Sequence, residues 1–341
     1  MTTVTVIPGD GIGPEVIDQA LETLDTFDLG LDLDVLDHVN AHTYLKTGTA
    51  LSDDDFDRIK GSAATLLGAV GDARVSGTNY ARSVLLRLRF ELDLYVNYRP
   101  TRLFHDRLSP LRDPRRRTID CVIVRENTEG LYAGIGGTLR PFTACEIAID
   151  AEVSTYHGVS RIIDFAFSIA RRSVCMVDKS NAVPNGGQLW QRCWRESIAR
   201  YPHVVTVHEY IDAAVMKLVA DPTAFDVIVT NNSYGDILSD LAAELGGGLG
   251  TATSANINGA TGFGLFEPVH GTAPDIAGNG IANPIGAIAT VALLIERLGY
   301  SDEAEAIRGA VNAVIADGHV TPDLGGCLGT KEVGAAIRTR L

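Results

Sequence analysis

The run Val227-Ile228-Val229-Thr230-Asn231-Asn232-Ser233-Tyr234-Gly235-Asp236-Ile237-Leu238-Ser239-Asp240-Leu241 decides the fold class. Its first three residues are apolar and β-branched, which reads as a buried strand. Tyr234-Gly235 then turns the chain, and residues 236–245 read as a helix. Asp236 and Asp240 are spaced i, i+4, so both carboxylates leave one face of that helix. Like charges so close call for a cation between them, and a hard divalent ion, Mg²⁺ or Mn²⁺, suits oxygen ligands. The plainer alternative is that Asp236 complements the helix dipole and Asp240 is solvated.

Strands alternate with helices on either side of this run. Residues 4–7, 35–38, 64–70, 121–124, 173–177 and 204–207 read as strands. Residues 14–24, 53–60 and 156–172 read as helices, and 284–298, 302–316 and 331–340 as closing ones. The pattern is α/β. The chain has 341 residues, enough for two domains or one large one. Its net charge of -14 argues against a nucleic acid or an anionic membrane as partner, so an anionic substrate needs a local arginine cluster. Arg115-Arg116-Arg117 lacks interleaved aromatics and reads as a solvated loop. The five cysteines (121, 145, 175, 193, 327) are scattered and odd in number, which suggests reduced thiols in a cytoplasm. No apolar run approaches the roughly 20 residues of a membrane helix.

The first strand opens into Pro8-Gly9-Asp10-Gly11-Ile12-Gly13-Pro14-Glu15. This is neither G-x-G-x-x-G nor a P-loop, for the third glycine comes early and no Lys-Ser/Thr follows. Glycines allow close approach to a ligand, and a tight turn without one is the alternative. Arg89, Arg99 and Arg125 lie at helix or strand ends, where bidentate guanidinium groups suit a substrate with more than one carboxylate. Arg87 reads as a surface ion pair. Lys179 and Asp212 each follow a strand, the usual place for ligand groups in open α/β sheets.

The segments GDGIGPEV (9–16), LRFELDLYVNYRP (88–100), VRENTEGLY (124–132), DKSNAV (178–183), NNSYGDILSD (231–240) and FEPVHGTAPDIAGNGIANP (266–284) occur in this order. Together they resemble the β-decarboxylating dehydrogenases that act on isocitrate, homoisocitrate, 3-isopropylmalate and D-malate or tartrate. The resemblance spans residues 6 to 284. It implies an α/β, two-domain isocitrate/isopropylmalate dehydrogenase-like fold that is not a Rossmann fold. The first domain, 1–95 with 249–341, would be discontinuous and bind NAD. The second, 96–248, would hold the metal and the dimer contacts, with residues 132–153 clasping the other subunit. Gly246–Gly250 would carry the chain back.

By the same resemblance, Asp236 and Asp240 with Asp212 of the neighbouring subunit bind the metal. Lys179 with Asp212 removes the substrate hydroxyl proton, for which a lowered lysine pKa is required. Tyr132 protonates the enol carbon, and Arg89, Arg99 and Arg125 hold the carboxylates. Ile12, His270, Gly271, Thr272, Ala273, Asp275, Ile276 and Asn283 line the cofactor. Asp275 would accept ribose hydroxyls and repel a 2′-phosphate, which implies NAD over NADP. A homodimer with shared active sites is implied.

The substituent at substrate C3 is read by the helix before Arg89, here Arg82-Ser83-Val84-Leu85-Leu86. With Ser109-Pro110-Leu111 and Ala255-Asn256-Ile257-Asn258 it looks most like the D-malate/tartrate pattern. Arg82 replaces the acid of isopropylmalate enzymes. If its guanidinium faces the cleft, a small or anionic arm is expected: D-malate, tartrate, isocitrate, homoisocitrate or a phosphonate analogue. If it turns outward, Leu85 and Leu86 form an apolar pocket and 3-isopropylmalate is expected instead. A non-catalytic regulatory subunit is a further alternative, against which every proton-transfer and metal residue is present.

Overall fold

The computed structural model describes residues 2–341. The chain begins with β1 (Thr2–Gly9), α1 (Gly13–Leu24), β2 (Leu31–Val35), α2 (Ala41–Thr47), α3 (Asp53–Gly61), β3 (Ala64–Ala69) and α4 (Tyr80–Glu91). It continues through β4 (Val96–Arg102), β5 (Asp120–Glu126), β6 (Gly136–Leu139), β7 (Ile147–Asp150), α5 (Tyr156–Ile169), β8 (Ser173–Asp178) and α6 (Pro184–Arg200). Then come β9 (Val205–Tyr210), α7 (Ile211–Ala220), β10 (Val227–Thr230), α8 (Asn232–Leu245), β11 (Thr253–Ile257) and β12 (Gly264–Pro268). The helices α9 (Ile285–Arg297), α10 (Ser301–Ala316) and α11 (Thr330–Arg338) close it.

Among the described residues, ten strands form one sheet in the order β2-β1-β3-β12-β11-β4-β5-β10-β8-β9. The outer four on each side are parallel among themselves. Only β11 and β4, at the middle, run antiparallel to both neighbours. The two flanks therefore point in opposite senses.

The alternation of side chains along each strand builds three cores. Val6, Leu66, Val122, Val174, Val227 and Phe266 face one side, in a core covered by α1, α5, α6 and α9 to α11. On the other side Ile7, Leu67 and Leu265 pack under α3 and α4. Ile123, Cys175 and Ile228, farther along that side, pack under α7 and α8. Between these two separate packs the strands β4 and β11 present Asn97, Arg99 and Asn256 instead of apolar residues. Burying apolar packing over these polar residues is costly, so the two packs stay separate, and the polar strip between them is the candidate cleft.

Several sequence expectations change. Residues 36–38 are not strand, because β2 ends at Val35, and α2 and α6 were not foreseen. Tyr234-Gly235 is no turn: α8 starts at Asn232, capped by the Asn231 side chain accepting from the Tyr234 N–H at 2.9 Å. Asp236 thus lies beyond the first turn, where the helix dipole has faded. The residues expected to clasp a second subunit form the exposed ribbon β6–β7, with Leu139, Ile147 and Ile149 open and Phe142 99% exposed at its tip. No helix of the described residues is long and apolar enough to cross a membrane.

Candidate active site

The cleft floor is a chain of amides. The Arg99 Nε donates to Asn97 Oδ1 at 2.9 Å, and Asn97 Nδ2 donates to Asn256 Oδ1 at 2.9 Å. Asn127 Nδ2 donates to that same oxygen at 2.9 Å, and Asn256 Nδ2 donates to Glu267 Oε1 at 2.8 Å. Glu267 also receives Arg89 at 3.5 Å. Arg89 and Arg99 are thereby held to one network although they come from a helix and a strand. None of Asn97, Asn127, Asn256 and Glu267 was given a site role from sequence, although Asn256 falls in the run read as D-malate/tartrate-like. The available signal was asparagine in central strands, where that residue is depleted.

The α8 wall supplies the rest. Arg125, at the end of β5, donates from Nε to Asn232 Oδ1 at 2.8 Å and pairs with Asp236. Its stem lies so close to α8 that a Cβ on Gly235 would stand 2.6 Å from Arg125 Cβ and Cγ. Glycine at 235 is thus a packing requirement. The Tyr132 hydroxyl donates to the other Asp236 oxygen at 2.9 Å. Burial, then that bond, pushes the Tyr132 phenol up. One turn on, Asp240 sits 4.0 Å from Arg99 Nη1, too far for a hydrogen bond, and this buried Nη1 has no partner. Burial, only partly offset by Arg99, raises the Asp240 carboxyl, and the nearby Asp236 raises it further. Burial pulls the Arg99 and Arg125 guanidinium groups down.

This combination fits a divalent cation and a carboxylate ligand. Asp240 is a carboxylate short of positive charge, and Arg99 carries a buried, unused donor 4.0 Å from it. Among the described residues no three His, Cys, Asp or Glu side chains gather as a metal centre within one chain. Asp212, the third expected ligand, lies in the first turn of α7 and is instead paired with Lys179, just past the end of β8. That bond holds the Asp212 carboxyl below its ordinary range. Lys179 also lies 5.8 Å from the Tyr210 ring centroid. Behind it, His208 and Gln191 bond Asp178 at 2.9 and 2.8 Å and fix the turn.

The expected cofactor residues gather in part. The Ile12 N–H donates to Thr272 O at 2.9 Å, which joins the first glycine loop to the 270–276 loop. Ala273 holds a positive φ of 37°, an unusual conformation for a side-chain-bearing residue. His270 Nδ1 contacts Gly271 O at 3.0 Å while its Nε2 is buried without a partner, and burial lowers its pKa. An orphaned ring nitrogen fits a ligand base. Gly271 and Asp275 are exposed and Ile276 is half-buried. Asn283 is engaged elsewhere: its amide donates to Asp323 at 2.9 Å and accepts from the Ile285 N–H at 3.0 Å.

On α4, Tyr80, Val84 and Leu88 are buried, and Leu85 packs against the same core. Arg82, Leu86 and Arg89 follow at i, i+4 and i+7 and share another face. Arg82 is exposed, and its guanidinium would lie 3.4 Å from a Cβ on Gly134, beside the turn that carries Tyr132. Ser83 is half-buried. Arg87 pairs with Asp53 and Glu91, as read from sequence.

A cavity of about 330 Å³ lies on the opposite sheet face, lined by Tyr98, Phe104, Val122, Ile169 and Leu293 among others. It contains none of the residues above. The convergence of arginines and carboxylates, with one buried guanidinium nitrogen unpartnered, marks the site.

The model of the family described as isocitrate/isopropylmalate dehydrogenase matches residues 3–337. A 3-isopropylmalate dehydrogenase of Leifsonia xyli is 48% identical over 91% of this chain and 90% of its own. One of Streptomyces coelicolor is 43% identical over 98% and 97%. The crystal structure of isocitrate dehydrogenase from Methylococcus capsulatus superposes with a TM-score of 0.90 at 39% identity, covering 100% of this chain and 99% of that one. A β-decarboxylating dehydrogenase of Thermococcus kodakarensis gives 0.83 at 37%, over 100% and 96%. With the motif order and the mixed sheet accounted for, the chain belongs to the isocitrate/isopropylmalate dehydrogenase family and is a β-decarboxylating dehydrogenase.

Proposed function

We propose that the chain oxidises and decarboxylates 3-isopropylmalate. One observation carries the reading at the site: Arg99 and Arg125, both largely buried, face two carboxylates one helical turn apart. That array suits a 2-hydroxy dicarboxylate bound with a divalent ion. The branched arm is supported by the relatives named 3-isopropylmalate dehydrogenase. Leu86, apolar and on the same α4 face as Arg89, supports it too. These favour the alkyl arm over the small or anionic arm that Arg82 suggested.

Asp236 and Asp240, with Asp212 of a second copy, would hold Mg²⁺ or Mn²⁺. NAD⁺ supplies the hydride acceptor and the ion supplies Lewis acidity. Arg89, Arg99 and Arg125 orient the carboxylates, Lys179 with Asp212 takes the hydroxyl proton, and Tyr132 returns one to carbon. Ile12 and the 270–276 loop would hold the cofactor, and Asp275 would select NAD. The bodies 1–95 with 249–341 and 96–248 form the two sides of the cleft. The open β6–β7 ribbon, unstable alone, is covered in a homodimer. The five free cysteines support a cytoplasmic site of action.

A second reading has Arg82 behind it, since its guanidinium reaches the Tyr132 turn. The test measures NADH formation with 3-isopropylmalate, D-malate, tartrate, isocitrate, homoisocitrate and a phosphonate-bearing malate, on wild type and Arg82→Ala. A wild-type preference for 3-isopropylmalate that survives the substitution is expected. Preference for an anionic arm that collapses in Arg82→Ala would overturn the alkyl assignment.

A further inference from the structure

Asp10 is buried, 7% exposed, and its carboxylate is held by three uncharged donors. The Ala41 N–H donates to Oδ1 at 2.7 Å. The Gly71 N–H and the Tyr80 hydroxyl donate to Oδ2 at 2.9 and 2.7 Å. A buried carboxylate is costly, and this one satisfies no catalytic demand in the cleft. Its donors come from three places: the start of α2, the loop after β3 and the first residue of α4. The glycine loop that carries Asp10 reaches the cofactor loop two residues later. Ile12 bonds Thr272 O, and a Cβ on Gly11 would stand 2.1 Å from that same oxygen. Gly71 also faces Thr272, with its Cβ position 3.8 Å from the Thr272 methyl. Tyr80 opens the helix that presents Arg82, Leu86 and Arg89.

We infer that Asp10 is a positioning residue that couples the cofactor loop to the substrate helix. A ligand on either side orders the same hub, so the second ligand binds an already ordered partner. The coupling is reciprocal. The inference rests on the proposed roles of α4 and of the 270–276 loop.

The test is NADH binding by fluorescence, with Mg²⁺, in the absence and presence of saturating 3-isopropylmalate, an abortive pair without turnover. In wild type the substrate should tighten NADH by about tenfold. In Tyr80→Phe that ratio should fall toward one. Asp10→Asn is the second variant should Tyr80→Phe not fold. Thr23→Val, which loses a buried hydroxyl bond to Gln19 O far from the hub, should lower the melting temperature and keep the ratio. A wild-type ratio of one, or an unchanged ratio in Tyr80→Phe, would overturn the inference alone. Absence of any NADH binding would overturn the cofactor reading and the inference together.

Discussion

Gly235→Ala tests how Arg125 is held. In an open helix this change stabilises by about 1 kcal/mol, because glycine is the poorer helix former. At 235 the new Cβ meets Arg125 Cβ and Cγ at 2.6 Å and Cδ at 3.1 Å. These are stem atoms, and the guanidinium beyond them is fixed by Asn232 and Asp236. Overpacking of this kind costs about 1–3 kcal/mol, so net stability should stay level or fall by up to about 2 kcal/mol. Activity should respond more. Displacing the guanidinium forfeits a charge-assisted bond of about 1.5–3 kcal/mol, or roughly ten- to hundredfold in kcat/KM. Gly309→Ala is the control, since its Cβ position in α10 has no atom within 4 Å. It should gain about 1 kcal/mol and about 2 °C in Tm with unchanged kinetics. Steady-state NADH formation and thermal melts on both variants decide the matter. A Gly235→Ala enzyme with wild-type kcat/KM and the Tm gain of Gly309→Ala would refute the packing argument.

Asp240 has a raised carboxyl pKa, so its contribution to metal-free stability is full below about pH 3.8 and is lost as pH rises through the raised value. Mg²⁺ should therefore raise Tm at neutral pH, and this increment should vanish in Asp240→Asn; a melt that ignores Mg²⁺ in wild type would count against the metal assignment. Asp226 is the opposite case: burial raises its pKa, but the N–H groups of Ser173, Arg172 and Arg171 and the Arg171 guanidinium outweigh that. Its stabilisation is present above about pH 3.8 and lost as pH falls through the lowered value, and Asp226→Ala should cost about 2–4 kcal/mol in urea melts without changing KM for NAD⁺. Asp275→Lys should bring kcat/KM for NADP⁺ closer to that for NAD⁺; an unchanged ratio would remove Asp275 from cofactor selection.

The alternating elements, the acidic pair at 236 and 240, the arginines and the motif order were all readable in the sequence, because periodicity, residue type and spacing are local properties. So was the failure of the dinucleotide fingerprint. The relatives then favoured the alkyl arm, where Arg82 had pointed to a small or anionic one.

What only the tertiary structure decided depends on which strands are neighbours. Asn97 and Asn256 are 159 residues apart, and they meet only because β11 returns to pair with β4. Glu267 reaches Arg89 for the same reason. The candidate cleft lies where two apolar cores on one sheet face stop on either side of that polar pair. Gly235 reads locally as a turn residue, yet it lies inside a helix, because Arg125 from a strand 110 positions earlier needs the space a side chain would fill. Asp10 looks like a loop aspartate until Ala41, Gly71 and Tyr80 converge on it. Sequence spacing carries the period of each element, and long-range packing alone determines which side chains share a volume.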